Sequence, residues 1–206
     1  MTEIWDNVYS RDESFFGENP SHFAVISFSD FNKQRVKKLL ELGCGQGRDT
    51  IYFASNDLEV STLDSSSVAI KNLERKLTEK NISIHTRHFD ARRGIPFSNN
   101  SFDAIYAHMF FNMQFTDDEL KFLFSESSRV LKNHGLLYFS VRSNKDQLYN
   151  TEKKIDSNIH EINGFQIRFF SKSQIKFFLS DYFEIKNISE DYEEPASLYL
   201  VFCYKK

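Results

Sequence analysis

Cysteine, excess basic charge and long apolar runs are all scarce in this chain of 206 residues. Its two cysteines, Cys44 and Cys203, do not form a disulfide framework, which is typical of a protein from a reducing cytosol. With 26 basic and 29 acidic residues the net charge is −3, so the basic surface of a nucleic-acid-binding protein is missing. No apolar run approaches the roughly 18 residues of a membrane span. The polar first residues predict no signal peptide. We therefore expect a cytoplasmic protein without a membrane or nucleic-acid partner.

The chain length is that of one domain with a full core, and no internal repeat is apparent. We expect residues 1–206 to form this domain, as a monomer or a homodimer. His85 and His88 are an odd number of residues apart in a predicted strand, so their side chains point to opposite faces. We therefore expect no metal site.

The strongest pattern lies between residues 36 and 64. A short apolar run with β character leads into three closely spaced glycines, Gly43, Gly45 and Gly47. A helical pattern follows, and a second apolar run ends at Asp64. This order predicts the first βαβ unit of a doubly wound sheet, in which ligands bind at the carboxyl ends of the strands.

The glycine spacing favours a ligand that has no phosphate. A dinucleotide fingerprint would need its third glycine at Arg48. Glu41, just before the loop, would repel a pyrophosphate but could hold an ammonium group. Asp64 could accept hydrogen bonds from two ribose hydroxyls. S-adenosylmethionine (SAM) has both a ribose and an amine and lacks a phosphate.

The run from Glu41 to Gly47 closely resembles motif I of class I SAM-dependent methyltransferases. The run from Ile95 to Asp103 is similar to the common lead-in to the fourth strand of these enzymes, and it lies well outside motif I. The resemblance implies an α/β fold: a doubly wound, Rossmann-like sheet of seven strands, mostly parallel with an antiparallel C-terminal strand, and helices on both faces. On motif I alone, a glycine turn in another α/β protein is the alternative.

Hydrophobic spacing predicts the remaining elements. Helices are predicted over residues 20–31, 65–80, 117–131 and 171–179, and strands over 82–89, 102–107, 135–142, 183–188 and 198–204. The first 20 residues lack clean periodicity, and we expect an arm that packs on the domain or forms a lid over the site. Residues 143–170 are mostly polar and are expected to be an insertion on the substrate side.

The resemblance also implies which residues bind SAM. Glu41 would fix the methionine end, the backbone at Gly43 and Gly45 would approach the cofactor closely, Asp64 would hold the ribose, and Asp90 would lie near the adenine. Neighbouring contacts are expected from Ser65, Ala91 and Ala107. For Asp90, a turn or a helix cap is the alternative.

The acceptor half carries no specific motif. Residues 107–113 lack the Asn-Pro-Pro-aromatic pattern of amino methyltransferases that act on bases, and the Pro-Cys nucleophile of cytosine enzymes. His108 is expected to take a proton from the acceptor or to bond to it, unless it only lines the pocket or caps the backbone. Substrate contacts are expected from Tyr9, Phe16, Met109, Asn112 and Arg142, with the Phe169-Phe170 region beside them.

These patterns predict an enzyme that transfers a methyl group from SAM to a small-molecule acceptor by in-line displacement. This reaction depends on alignment and a dry pocket more than on a catalytic triad or a metal. The chain looks most like small-molecule methyltransferases of the tellurite-resistance and thiol type. An apolar pocket with one cation, Arg142, favours a small anionic or thiol acceptor. A noncatalytic SAM-binding regulatory module and an NAD-dependent oxidoreductase are the alternatives.

Overall fold

The structure is a computed structural model that describes residues 2–149, 153–155 and 158–206. Its strands are β1 (Lys38–Leu42), β2 (Glu59–Asp64), β3 (His85–His88), β4 (Phe102–His108), β5 (Leu131–Arg142), β6 (Lys153–Lys154), β7 (Ile159–Ile162), β8 (Phe165–Arg168), β9 (Phe183–Glu193) and β10 (Ala196–Lys205). Its helices are α1 (Thr2–Arg11), α2 (His22–Lys33), α3 (Arg48–Ala54), α4 (Ser67–Glu79), α5 (Asp117–Val130) and α6 (Lys172–Leu179), with a short 3-10 helix at Ala91–Arg93.

Seven strands form the central sheet in the order β3-β2-β1-β4-β5-β10-β9. The first five are parallel to one another, and β10 runs antiparallel to both β5 and β9. Helices α2 and α3 pack on one face of the sheet, and α5 and α6 pack on the other. The predicted doubly wound, Rossmann-like fold is therefore confirmed.

Capping residues fix where several helices begin. The Ser66 side chain accepts a hydrogen bond from the Ala69 N–H at the start of α4. Thr116 and Glu119 form a capping box before α5, and Ser171 and Gln174 form a second one before α6. Such caps satisfy N–H groups that have no partner within the helix.

Two predicted strand starts are wrong for local reasons, and β9 also continues past its predicted end at residue 188 to Glu193. Strand β5 begins at Leu131 rather than at Gly135, because Leu131 already pairs with Phe102 before a shift in register. Strand β3 begins at His85 rather than at Ile82, because the Ile82 N–H bonds back to the Leu77 carbonyl at 2.9 Å and completes the end of α4.

The N-terminal arm, residues 2–17, is more ordered than its sequence suggested, because its first ten residues form α1. Trp5 and Tyr9 are four residues apart and therefore share one face of this helix. The Ser66 hydroxyl donates to Asp6 at 2.6 Å, and the Asn72 amide donates to the Tyr9 carbonyl at 3.1 Å. These contacts fix the arm against α4, beside the glycine loop.

The predicted insertion contains a second, three-stranded sheet in the order β6-β7-β8, which we call the small sheet. Residues 150–152 and 156–157 of the insertion lie outside the described residues. Phe169 and Phe170 are each only 1% exposed and do not line the cavity described below, so the expectation that they flank the substrate is wrong. Phe170 belongs to the core with Phe178 of α6.

Neither a membrane span nor a metal cluster is found in the part of the chain that the structure describes. No helix there is both long and apolar enough to cross a membrane. No group of three or more His, Cys, Asp or Glu side chains there is placed to hold a metal ion.

Candidate active site

A cavity of about 470 Å³ lies at the carboxyl ends of β1, β2 and β4. The arm, the glycine loop, the small sheet and the turn between β9 and β10 all contribute to its walls. Thirteen predicted site residues line it: Tyr9, Phe16, Glu41, Gly43, Gly45, Asp64, Ser65, Asp90, Ala91, His108, Met109, Asn112 and Arg142. The fourteenth, Ala107, is fully buried in the core and does not reach the cavity.

The glycine loop, residues 43–47, needs its glycines because their φ angles are positive and other side chains pack closely against the backbone. Gly43, Gly45 and Gly47 have φ values of +73°, +51° and +84°. A Cβ atom on Gly45 would lie 2.5 Å from the hydroxyl oxygen of Tyr9. Tyr9, predicted as a substrate contact, therefore lies on the loop expected to hold the cofactor.

Replacing Gly45 with alanine should loosen the arm more than backbone strain alone would. Gly17 is a matched control, because it also has a positive φ but nothing lies within 4 Å of a Cβ placed there. Left-handed backbone costs an alanine roughly 1–2 kcal/mol. In urea unfolding we expect Gly17→Ala to lose about this amount, and Gly45→Ala to lose more and to speed hydrogen exchange in α1.

Adding Tyr9→Phe to Gly45→Ala should recover part of the loss, because it removes the hydroxyl that the new methyl group meets. Equal losses for the two alanine variants, or no coupling to Tyr9→Phe, would contradict the proposed clash.

Two carboxyl groups flank the glycine loop, that of Glu41 buried and that of Asp64 half-buried. Glu41, 3% exposed, accepts a hydrogen bond from the Thr50 hydroxyl. Asp64 accepts hydrogen bonds from the N–H groups of Gly45 and Ser66, both at 2.8 Å. Burial raises the pKa of Glu41 well above its usual range, and the nearby Asp49 raises it further. Burial also raises the pKa of Asp64, against the effect of the two N–H groups.

Asp90 caps a helix, which is the structural role given above as the alternative to a contact with the adenine. Its side chain accepts a hydrogen bond from the Arg92 N–H at 3.0 Å and so caps the 3-10 helix. The Arg92 guanidinium contacts both carboxylate oxygens at 2.7–3.1 Å, and these hydrogen bonds lower the pKa of Asp90. Asp90 still borders the cavity, but with its charge already paired.

His108 is held between two protein groups. Its Nδ1 lies 2.7 Å from the Ser140 hydroxyl, which also accepts a hydrogen bond from the Met109 N–H at 2.9 Å. Its Nε2 lies 3.0 Å from Oε2 of Glu193. Both ring nitrogens therefore face protein atoms.

Glu193 and two residues of the glycine loop were not predicted as site residues. Glu193 also accepts a hydrogen bond from Arg48 at 2.5 Å. Arg48 donates to the Phe16 carbonyl at 2.8 Å, and the Gln46 side chain bonds to the Phe16 N–H at 2.8 Å and to the Gly17 carbonyl. Gln46 and Arg48 alternate with the glycines, so polar side chains at these positions were an available signal. Nothing local marked Glu193.

The cavity is acidic and its arginines are already paired. Arg48, Arg92 and Arg142 lie 2.5, 2.7 and 2.6 Å from Glu193, Asp90 and Asp146. Arg48 also lies 3.9 Å from Asp49. Six acidic residues line the cavity: Glu41, Asp49, Asp64, Asp90, Glu193 and Glu194. The expectation that Arg142 supplies a free cation is therefore corrected, because the buried Asp146 neutralises it.

Comparison with known proteins identifies one family. Residues 39–135 match the family model described as a methyltransferase domain. The biotin biosynthesis bifunctional protein BioHC of Saccharophagus degradans is 30% identical over 108 residues, which are 52% of this chain and 19% of that protein. The chain thus spans about a fifth of the length of this curated relative.

Solved structures share the whole architecture at low identity. A SAM-dependent methyltransferase from Methanosarcina mazei has a TM-score of 0.73 at 21% identity, covering 82% of this chain and 92% of that chain. TehB from Haemophilus influenzae has a TM-score of 0.70 at 16% identity, covering 98% of this chain and 67% of that chain. These two likenesses show the fold alone. The family match covers residues 39–135 and includes motif I, and with the shared fold it supports a class I SAM-dependent methyltransferase with SAM as its cofactor.

Proposed function

We propose that this chain transfers the methyl group of SAM to a small-molecule acceptor by in-line displacement. The observation that carries the proposal is the glycine loop between buried Glu41 and half-buried Asp64, in a cavity where acidic groups outnumber basic ones. SAM has a sulfonium, an ammonium and a ribose, so this set of groups fits it. A dinucleotide has a negatively charged pyrophosphate, which the same groups disfavour.

Each part of the cavity has a task in this proposal. When bound, SAM supplies a methyl group that is already activated for displacement. Asp64 accepts hydrogen bonds from the ribose, Glu41 faces the methionine end, and the glycine backbone allows close approach. The arm and the small sheet exclude water, which protects the sulfonium and desolvates the nucleophile.

The enclosure of the cavity supports a small acceptor. Trp5 of the arm and Phe165 of the small sheet have ring centroids 5.1 Å apart, so the two segments meet beside the cavity. Further walls come from Met109, Phe110 and Met113. These apolar walls extend past the residues assigned to SAM, which favours an enzyme over a noncatalytic SAM-binding regulator. A thiol acceptor fits them, whereas the paired Arg142 no longer supports an anionic one.

Calorimetry should show that SAM binds at least tenfold more tightly than NAD, a difference of about 1.4 kcal/mol. The physical reason is that acidic groups outnumber basic ones around the glycine loop. S-adenosylhomocysteine, which lacks the sulfonium charge, serves as a second ligand for the same site. Equal or tighter binding of NAD would contradict the cofactor assignment. A screen with radiolabelled SAM over thiols, metalloid oxyanions, amines and a cell metabolite extract then separates an enzyme from a regulator.

A further inference from the structure

We infer that the acceptor is an amine with an apolar body, and that the carboxylate of Glu193 holds its nitrogen. This inference rests on the proposed methyl transfer and names the substrate class of the same cavity. It assigns to Glu193 the contact with the acceptor that was expected of His108.

Glu193 places an ionised carboxylate in the cavity wall, with Arg48 paired to Oε1 and His108 facing Oε2. Its side chain is 26% exposed. Burial alone would raise its pKa, but His108 and Arg48 outweigh burial and hold the pKa at about 2. The group is therefore a carboxylate at any physiological pH, and it is too weak a base to take a proton from an alcohol.

His108 is arranged to position this carboxylate. Because Ser140 already accepts the Met109 N–H, its own hydroxyl hydrogen is free to donate to Nδ1 of His108. In that arrangement Nε2 carries the ring proton and faces Glu193. The imidazole then has no lone pair directed at the cavity. His108 acts through Glu193 as a positioning residue.

The surrounding walls suit an ammonium group on an apolar molecule. Aromatic and thioether side chains line the cavity: Trp5, Phe16, Met109, Met113, Phe115 and Phe165. Aromatic faces attract cations. Glu194 adds a second carboxylate at the rim, and each arginine that lines the cavity is already paired. An acceptor with a carboxylate or a phosphate has no free cation to meet among the described residues.

Asn112 provides a second polar group in the lining of the cavity. It is only 1% exposed, it lines the cavity, and its Oδ1 has no hydrogen-bond partner among the described residues. A buried amide without a partner is costly, so a ligand that satisfies it gains affinity. An N–H group on the acceptor would do so.

The direction of charge movement gives Glu193 a catalytic effect. A bound ammonium first loses a proton to water, since only the neutral amine has a lone pair. That pair forms the C–N bond to the methyl carbon, while the C–S bond breaks and its electrons stay on sulfur. The positive charge moves from sulfur to nitrogen, towards Glu193, and the methylated ammonium later releases its proton to water. A fixed carboxylate beside the nitrogen therefore stabilises the transition state more than the complex with the neutral amine from which the displacement starts.

The test uses three probes with one apolar body: 2-phenylethylamine, 2-phenylethanethiol and 3-phenylpropanoate. Calorimetry with S-adenosylhomocysteine present measures their binding, and labelled SAM measures methylation. We expect the amine to bind at least tenfold more tightly than the carboxylate and to be methylated faster than the thiol. Glu193→Gln should weaken amine binding about tenfold, and Glu193→Asp should recover part of it. Glu184→Gln, on an exposed part of the same strand, should behave as the parent does.

Three results would overturn the inference: tighter binding of the carboxylate, faster methylation of the thiol, or no binding of the amine. Equal amine binding by Glu193→Gln and Glu184→Gln, with both variants folded by thermal unfolding, would overturn it as well. All these results leave the proposed function standing as long as SAM binds and any acceptor is methylated. Failure of the chain to bind SAM is the separate result that removes the proposed function.

Discussion

Asp64→Asn should weaken SAM binding at least tenfold, or about 1.4 kcal/mol, while leaving the fold intact. Losing a hydrogen bond to a charged acceptor typically costs roughly 1–3 kcal/mol. The carboxylate has oxygens for both loop N–H groups and for a ribose, whereas the amide replaces one oxygen with a donor. Calorimetry with SAM measures the loss. Asp118→Asn is the control, because the Asp118 side chain is 94% exposed and lies on α5. Parent-like affinity in Asp64→Asn would remove the ribose assignment.

The same variant should reveal the raised pKa of Asp64 in the cofactor-free protein. Below the unfolded-state pKa, near roughly 4, the group is neutral in both states and burial costs nothing. As the pH rises through the higher folded-state pKa, the folded protein must hold a buried charge, and its free energy of unfolding falls. Asparagine never acquires this charge. The free energy of unfolding of the parent minus that of Asp64→Asn should therefore decrease as the pH rises from about 4 to 8.

Urea unfolding over this pH range measures this difference directly. Burial and the nearby Asp64 both raise the pKa of Glu41, so the two proteins are compared in a Glu41→Gln background, where this second titration is absent. If this difference increases with pH, the N–H groups of Gly45 and Ser66 lower the pKa of Asp64 more than burial raises it.

Deleting residues 2–17 should lower turnover at least tenfold, an order-of-magnitude expectation from lost desolvation and alignment. The deletion removes Trp5, Tyr9 and Phe16 from the cavity wall. It also removes the backbone groups at Phe16 and Gly17 that Gln46 and Arg48 bind. Methylation of an acceptor from the metabolite extract measures the effect.

Point variants separate the role of the arm in covering the cavity from its contribution to the stability of the fold. Trp5→Ala should lower turnover, whereas Ile4→Ala, at a side chain 38% exposed, should not. Both lie on α1, so damage to the helix itself would affect them alike. Full turnover in a folded deletion would show that the arm only packs on the domain, and would make a macromolecular acceptor plausible again.

The cofactor half could be predicted from the sequence because its signals are local. Residues 41–47 set the turn by their own glycines, and the apolar runs beside them set β1 and β2. The helix of the arm was harder to predict, because Trp5 and Tyr9 are one pair of side chains facing the cavity on a helix of only ten residues. So short a repeat falls below what periodicity can detect.

The acceptor half depends on contacts between distant residues. Glu193 meets Arg48 across 145 positions of sequence, and only the pairing of β9 with β10 brings it there. The charge of Arg142 is visible in the sequence, but its neutralisation by Asp146 depends on the turn after β5 and on the buried site in which both lie. Predicting the contact of Glu193 requires the assembled sheet, and predicting that of Arg142 requires the conformation of the turn after β5.

The ring contact between Trp5 and Phe165 has a kinetic consequence. One ring belongs to the segment over the cofactor loop, and the other belongs to the small sheet on the acceptor side. Exchange of either ligand through this region requires the same two rings to separate. Each catalytic cycle then needs one separation, after which both products can leave. If that step is slow, it sets a single maximum rate that is the same for every acceptor, however reactive its nucleophile.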